Sequence, residues 1–284
     1  MSATPSAAAP AFRGRIGCDM SSGHYAAPHR YRLHLSLPCP GSLRIAVTHR
    51  LLGLGDLLPV ELLPAVPDTP DGGFTSLRPL YEASSHHHRG PAAAPVLSDA
   101  WTGRVVSTHA PDIERDLALR FGSSGPELHP RADARRIEAV GRLCTEGIDE
   151  AAQSAGELGI EHGAHAEPLG TLLDALGSLE RCLGEQEFVL GERLTAADVQ
   201  VWTTLVQLDT VHRWHLDADA VDRIAAHPAL WAYARRLAAH PAFGPLLDLD
   251  AITRRHHARC RGQEAAGAAM QIVDWYASTG RPAT

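Results

Sequence analysis

The chain has 284 residues, and its 26 basic and 33 acidic side chains give a formal net charge of −7. This length suits one large or two small domains, and the acidic balance without a dense Lys/Arg run argues against a nucleic-acid surface. There is no bilayer-length apolar stretch and no signal-peptide pattern, and the five cysteines include no CxxC pair, so we expect a cytoplasmic protein with free thiols.

The first half of the chain mixes strand and helix patterns. Residues 1–29 are predicted to be an extension that begins with a disordered tail over 1–10. Alternating apolar side chains predict a strand at 31–37, and a helix follows from Pro40 until Gly53 and Gly55 stop it. Further strands are predicted over 57–63, 94–97 and 104–106, and a helix over 111–121.

A segment rich in Pro, Gly, Ser and His separates the second and third of these strands. Residues 64–92 are predicted to be a long irregular insertion, because such residues interrupt both strand and helix patterns. The run His86–His88 lies within it, and we expect these side chains to be solvated.

The second half of the chain has helical spacing. Apolar residues recur every three to four positions over 132–153 and 168–183, and Pro228 marks the start of another helix. Thr195 and Asp198 have the spacing of a capping box, in which each residue satisfies a backbone N–H near the start of a helix. A mixed α/β half is therefore followed by an all-helical half.

Cys39 stands directly before the helix that begins at Pro40. Backbone N–H groups are unpaired at a helix start and the helix dipole is positive there, so this position favours a thiolate. A thiolate is a competent nucleophile. The alternative is that Cys39 is a small core residue, and the spacing alone does not separate the two interpretations.

Several stretches together resemble the glutathione-transferase superfamily, and within it the glutathionyl-hydroquinone reductase (xi-class) branch. A strand leads into Cys39-Pro40, Ala94-Pro95 resembles the cis-proline segment, and Leu190–Asp198 resembles the capping-box signature of the C-terminal domain. Further matches lie at 12–13, 102–107, 205–209 and 250–255. The resemblance implies a thioredoxin-like domain over 30–122 and an all-helical domain with a C-terminal extension over 131–284.

The resemblance also implies an activity and an assembly. In the resembled enzymes the cysteine attacks the sulfur of a glutathionyl-hydroquinone, the hydroquinone leaves, and a second glutathione resolves the mixed disulfide. Cys39 would take the nucleophile's place here, and Pro95, Val96 and His109 would bind a low-molecular-weight thiol. The family is usually homodimeric, so we expect a homodimer that acts on a small molecule.

Four positions depart from the family's glutathione-binding pattern. By the resemblance, a Glu-Ser pair is replaced by His109 and Ala110, an arginine by Pro91, and a tryptophan by a residue near Gly73, within 71–74. The loss of partners for a charged ligand predicts weak glutathione binding, because an unpaired charge is costly. A different thiol is therefore expected. The Ala/Arg/Gly/His-rich composition is typical of a high-GC bacterium, and mycothiol is the candidate if the source is an actinomycete.

Three tyrosines that line the hydroquinone site in the family also differ here. Their positions are occupied by Asp149, His212 and either His256 or His257, which we expect to converge on a cleft facing Cys39. Imidazole and carboxylate groups suit acid–base work, and they could also bind a divalent metal. With 17 histidines in the chain, incidental polar positions are the third interpretation, and no metal is expected.

Three functions remain open from the sequence. The first is a thiol transferase or oxidoreductase in which Cys39 acts on a thiol-conjugated quinone or aromatic compound. The second is a repurposed isomerase or lyase of specialised metabolism that uses Asp149, His212 and His256 or His257. The third is a non-catalytic binding protein.

Overall fold

The computed structural model describes residues 12–122, 125–161, 166–260 and 271–275. The predicted disordered tail over 1–10 lies outside the described residues. The chain divides into two compact units between Gly125 and Pro126. Across the described ranges, no helix combines the length and the apolar character needed to cross a bilayer.

The first unit is built on a four-stranded mixed sheet. Its strands are β1 (Tyr31–Leu35), β2 (Val60–Leu62), β3 (Val96–Asp99) and β4 (Arg104–Ser107), in the spatial order β2-β1-β3-β4. β1 pairs in parallel with β2 and antiparallel with β3, and β3 pairs antiparallel with β4. The four strands predicted from apolar patterning are thus confirmed, each with slightly different ends.

Among its described residues this unit has three α-helices: α1 (Pro40–Leu51), α2 (Arg78–Ser84) and α3 (Ala110–Arg120). α1 and α3 pack against each other, and a buried ion pair joins them where Arg44 Nε lies 3.1 Å from Glu114 Oε1. Burial raises the pKa of Glu114 even though Arg44 opposes the shift. After α1 the chain turns at Gly53, whose φ of +63° suits glycine.

The prediction that residues 64–92 are irregular is wrong for their middle part. A 3₁₀ turn (Thr75–Leu77) leads into α2, and Phe74, Leu77 and Tyr81 are buried in one apolar cluster. The hydroxyl of Tyr81 donates a hydrogen bond to the carbonyl of Ala93 at 2.6 Å. Apolar residues spaced three and four apart give the 3₁₀ turn and the short helix one common buried face despite the surrounding Pro, Gly and Ser.

A segment before the predicted domain start is part of the first unit. Gly14 N donates to the carbonyl of Val106 at 2.8 Å, which places residues 12–16 alongside β4. A Cβ atom at Gly14 would lie 2.5 Å from that carbonyl oxygen, so the close approach requires glycine. On its other side the segment binds α3, where Arg15 forms an ion pair with Asp116 at 2.6 Å.

The second unit is all-helical, as expected. Its elements are α4 (Ala134–Arg142), a π-helical segment (Leu143–Glu150), α5 (Ala151–Glu161), α6 (Ala166–Glu185), α7 (Ala196–Thr210), a 3₁₀ turn (His212–His215), α8 (Ala218–Ala225), α9 (Pro228–Ala238) and α10 (Leu249–Arg259). The single helical pattern over 132–153 is thus interrupted by the π-helical segment. Such segments are frequent at functional sites.

The predicted capping box at the start of α7 is confirmed. Asp198 Oδ2 accepts the backbone N–H of Thr195 at 2.8 Å. The same buried carboxylate accepts the N–H of Val189 at 2.9 Å and the hydroxyl of Tyr233 at 2.9 Å. Burial raises the pKa of Asp198, and these hydrogen bonds oppose the shift. One carboxylate therefore ties the start of α7 to the preceding loop and to α9.

The end of α7 holds a second buried carboxylate. Asp209 accepts the backbone N–H groups of Ile272 at 2.8 Å and Val273 at 3.1 Å, and the indole N–H of Trp275 at 2.9 Å. Trp275 is buried, and its ring meets that of Trp202 edge-on at 6.3 Å between centroids. We call residues 271–275 the C-terminal strap, because Asp209 fastens them to α7.

Candidate functional site

Cys39 occupies the N-cap position of α1, as the sequence predicts. Its backbone is extended (φ −84°, ψ 126°), and its carbonyl accepts the N–H of Leu43 at 2.9 Å. Its thiol is partly buried and lies 4.0 Å from the carbonyl oxygen of Ala94. The sulfur is therefore held beside the first turn of a helix and remains reachable.

The loop before β3 lies next to this thiol. The Ala94–Pro95 peptide bond is cis, which confirms the predicted cis-proline segment. A Cβ atom at Gly41 would lie 3.0 Å from Ala110 Cβ and 3.7 Å from the Pro95 ring. The starts of α1 and α3 and the cis-proline loop thus meet around one glycine. Val96, predicted to bind a thiol cofactor, has a fully buried side chain, so only its backbone could contact a ligand.

The start of α3 carries charges that already pair with each other. His109 Nδ1 lies 2.9 Å from Asp112 Oδ2, and Arg13 Nη2 lies 2.7 Å from the same oxygen. Arg15 Nη1 reaches the other oxygen of Asp112 at 3.1 Å. Partial burial raises the pKa of Asp112, but the guanidinium groups and His109 outweigh it and hold the pKa below its usual range. The carboxylate is therefore ionised and fully engaged.

Gly73, near which we expect the family's tryptophan position to fall, has no room for a side chain. A Cβ atom at Gly73 would lie 2.8 Å from the backbone nitrogen of Ala92 and 3.0 Å from Thr69 Oγ1. Glycine is required because this loop packs backbone against backbone. A tryptophan could therefore not replace Gly73 without a different path of the loop.

Several of the predicted pocket residues lie together in the second unit. The rings of His215 and His256 meet edge-on, with 5.1 Å between centroids. Desolvation, together with the nearby His215 and His256, lowers the pKa of His212 to about 4. His212 is therefore neutral at pH 7.

The remaining pocket residues are placed differently. His257 is exposed, with its ring 5.9 Å from that of His256, so His256 is the one of the pair that joins the cluster. Asp149 is partly buried on the π-helical segment. Its convergence with the histidines, and the orientation of all of them toward Cys39, stay predictions.

Sequence reasoning missed two residues of this cluster. His215 ends the 3₁₀ turn that contains His212, and Cys260 caps α10 one turn after His256. Cys260 Sγ lies 3.9 Å from His215 Nε2. Spacings of three and four place residues on one helix face, and this was the signal that could have identified both.

Comparisons with known proteins agree with this architecture. Residues 164–236 match the glutathione S-transferase C-terminal domain family. Glutathionyl-hydroquinone reductase YqjG of Escherichia coli is 27% identical over 264 residues, which cover 87% of this chain and 80% of that protein. Glutathionyl-hydroquinone reductase PcpF of Sphingobium chlorophenolicum is 26% identical over 248 residues, covering 81% of this chain and 78% of that protein.

Solved structures of glutathione transferases are also similar to this chain. A glutathione transferase from Gordonia bronchialis superposes with a TM-score of 0.77 at 25% identity, over 95% of this chain and 92% of that chain. The glutathione-bound structure of YqjG superposes with a TM-score of 0.71 at 25% identity, over 81% of this chain and 80% of that chain. The chain is therefore a protein of the glutathione-transferase fold, and its relatives include bacterial glutathionyl-hydroquinone reductases.

Proposed function

We propose that the protein is a thiol transferase or oxidoreductase in which Cys39 is the nucleophile. Its substrate is a quinone-derived or other aromatic compound that carries a low-molecular-weight thiol in thioether linkage. The single observation that carries the proposal is the position of the Cys39 thiol, at the N-cap of α1 and beside the cis Ala94–Pro95 peptide bond. The curated relatives, named as glutathionyl-hydroquinone reductases, support the same chemistry.

The reaction balances in two steps. The Cys39 thiolate attacks the thioether sulfur, a sulfur–sulfur bond forms, and the sulfur–carbon bond breaks while the aromatic carbon takes up a proton. A second thiol, as thiolate, then attacks the mixed disulfide, releases a small disulfide and regenerates Cys39. The aromatic compound is reduced by two electrons, and the two thiols supply them. The helix start favours the thiolate in both steps.

We also propose that the thiol is not glutathione. An ammonium group such as that of a γ-glutamyl moiety needs a carboxylate, and Asp112 at the start of α3 is already paired with two guanidinium groups. Ala110 supplies no hydroxyl, and the backbone packing around Gly73 supports the loss of the tryptophan. Mycothiol is the candidate if the source is an actinomycete.

The experiment is a comparison of conjugates. Hydroquinone release is measured by chromatography for hydroquinone thioethers of glutathione and of mycothiol, each with the same thiol as the second reactant. We expect Cys39→Ser to lower the rate at least about a thousandfold, as removal of a nucleophile does. Cys182→Ser is the matched control, because Cys182 is also partly buried but lies on α6. The Cys182→Ser variant should release hydroquinone at the wild-type rate.

The two parts of the proposal can fail separately. Turnover by Cys39→Ser at the wild-type rate would refute the nucleophile. A glutathione conjugate consumed as efficiently as the mycothiol conjugate would refute the choice of thiol and leave Cys39 as the nucleophile.

We further propose that the protein is cytoplasmic. We propose that it is a homodimer, since twofold assemblies are the commonest oligomers. Light scattering that gives the 30.4 kDa monomer would contradict the dimer.

A further inference from the structure

His215, His256 and Cys260 form a group of potential metal ligands in the second unit. One donor atom from each residue lies within 4.8 Å of the donor atoms of the other two. All three residues are partly buried, unlike the exposed His257 beside them. Imidazole nitrogen and cysteine sulfur are both ligands that zinc takes in proteins.

The one donor–donor distance that can be compared with a zinc site is close to the expected value. With zinc–sulfur and zinc–nitrogen bonds of ~2.3 and ~2.05 Å, tetrahedral geometry places the sulfur and a nitrogen ~3.6 Å apart. Cys260 Sγ and His215 Nε2 are 3.9 Å apart, a few tenths of an ångström more than this value. The donor atom of His256 lies within 4.8 Å of both. Two zinc-bound imidazole nitrogens lie ~3.3 Å apart, so the His256 ring would move closer by at most about 1.5 Å.

Regular backbone structure holds the ligands in place. The N–H of Cys260 donates to the carbonyl of His256 at 2.7 Å, which keeps the two residues one helical turn apart on the same face of α10. His215 lies against α5, where a Cβ atom at Gly156 would be 2.8 Å from His215 Cβ. The glycine thus creates the space in which His215 sits.

We propose that His215, His256 and Cys260 bind one Zn²⁺ ion, with the fourth coordination position open to water or to a small anionic or thiol ligand. Binding releases the thiol proton of Cys260 to solvent and leaves a net charge of +1 on the ion and its three ligands. The ion would join α10 to the turn that follows α7. This site is independent of the thiol chemistry proposed for Cys39.

The test uses full-length, tag-free protein in which His86, His87 and His88 are replaced by Asn. This background removes the histidine run of the insertion, which could bind metal unspecifically. After chelator treatment the protein is titrated with Zn²⁺ and with Co²⁺ and passed through a desalting column. We expect about one zinc per chain by elemental analysis and, with cobalt, a near-ultraviolet thiolate-to-metal charge-transfer band.

Variants identify the ligands. Cys260→Ser should abolish the cobalt band, and His256→Asn should weaken zinc binding by more than about tenfold, because even changes behind a ligand cost that much. His257→Asn and Cys182→Ser are the matched controls and should bind normally. Zinc should also protect Cys260, and no other cysteine, from iodoacetamide, a readout that does not depend on the fold of any variant.

Three outcomes would overturn the proposal. The first is a background protein that retains no stoichiometric zinc. The second is a cobalt band that persists in Cys260→Ser. The third is alkylation of Cys260 at the same rate with and without zinc. Circular dichroism of each variant shows whether a loss of binding reflects the ligand or the fold.

Discussion

Replacing Asp209 with Ala should detach the C-terminal strap and destabilise the second unit. The carboxylate accepts three hydrogen bonds from strap residues, all of them buried or partly buried. Hydrogen bonds to a charged group contribute about 1.5–3 kcal/mol each, so their loss in an intact strap would cost at least about 4 kcal/mol.

The strap can also respond to the substitution by separating from α7, and this limits the loss of stability. It can separate from α7 and expose its donors to water, and the main loss is then the burial of Trp275, about 3 kcal/mol for a large apolar side chain. The variant adopts the state with the lower free-energy cost, which is the one with the strap separated, so we expect Asp209→Ala to lower the free energy of unfolding by about 3–4 kcal/mol. Asp209→Asn keeps one acceptor oxygen and should fall between this variant and the wild type.

The assay combines urea unfolding with hydrogen exchange. Amide protection at Ile272 and Val273 should drop in Asp209→Ala, and the indole emission of Trp275 should shift toward that of an exposed ring. Asp248→Ala is the matched control, because Asp248 accepts one backbone N–H, from Ala251 at 2.9 Å. Loss of this cap should cost about 1 kcal/mol. Equal destabilisation by the two variants, or an undisturbed strap, would refute the reasoning.

Three further predictions concern the first unit and its ligand. Iodoacetamide at mildly acidic pH should modify Cys39 faster than Cys144 or Cys182, as peptide mapping over time would reveal, and equal rates would contradict the thiolate. Calorimetry should give a glutathione dissociation constant weaker than about 1 mM, and micromolar affinity would show that other residues bind it. Burial raises the pKa of Asp99, but the ion pair with Arg30 and a backbone N–H outweigh it, so the folded pKa lies below the unfolded value. The resulting stability is present above about pH 4 and is lost as the pH falls through the folded pKa. Asp99→Asn should therefore flatten the acid limb of the stability curve, and an unchanged limb would refute this assignment.

Local signals in the sequence were enough to predict the elements that position Cys39. β1 has period-two alternation, α1 begins at a proline, and the capping box at Thr195 and Asp198 uses residues three apart. Each of these patterns involves only neighbouring residues, so one sequence suffices. The small helix α2 was missed because it contains one buried residue, Tyr81, and the buried residues before it lie among Pro, Gly and Ser.

The rest depends on contacts between distant parts of the chain. Asp209 and Ile272 are far apart in sequence, and no local pattern predicts their hydrogen bond. His215 meets Cys260 in the same way, across two helices. The low pKa of His212 depends on how deeply its ring is buried beside two other imidazoles, and residue type alone does not give that depth.

The segment over 12–16 has a consequence for how the protein can be shortened. An uncovered strand at the edge of a sheet offers free N–H and C=O groups to any passing chain, and this is a common route to aggregation. By lying along β4, the segment occupies those groups with backbone of the same molecule. A version of the protein that starts at the predicted domain boundary, residue 30, would lose this cover. It should be more prone to self-association than one that starts before Phe12.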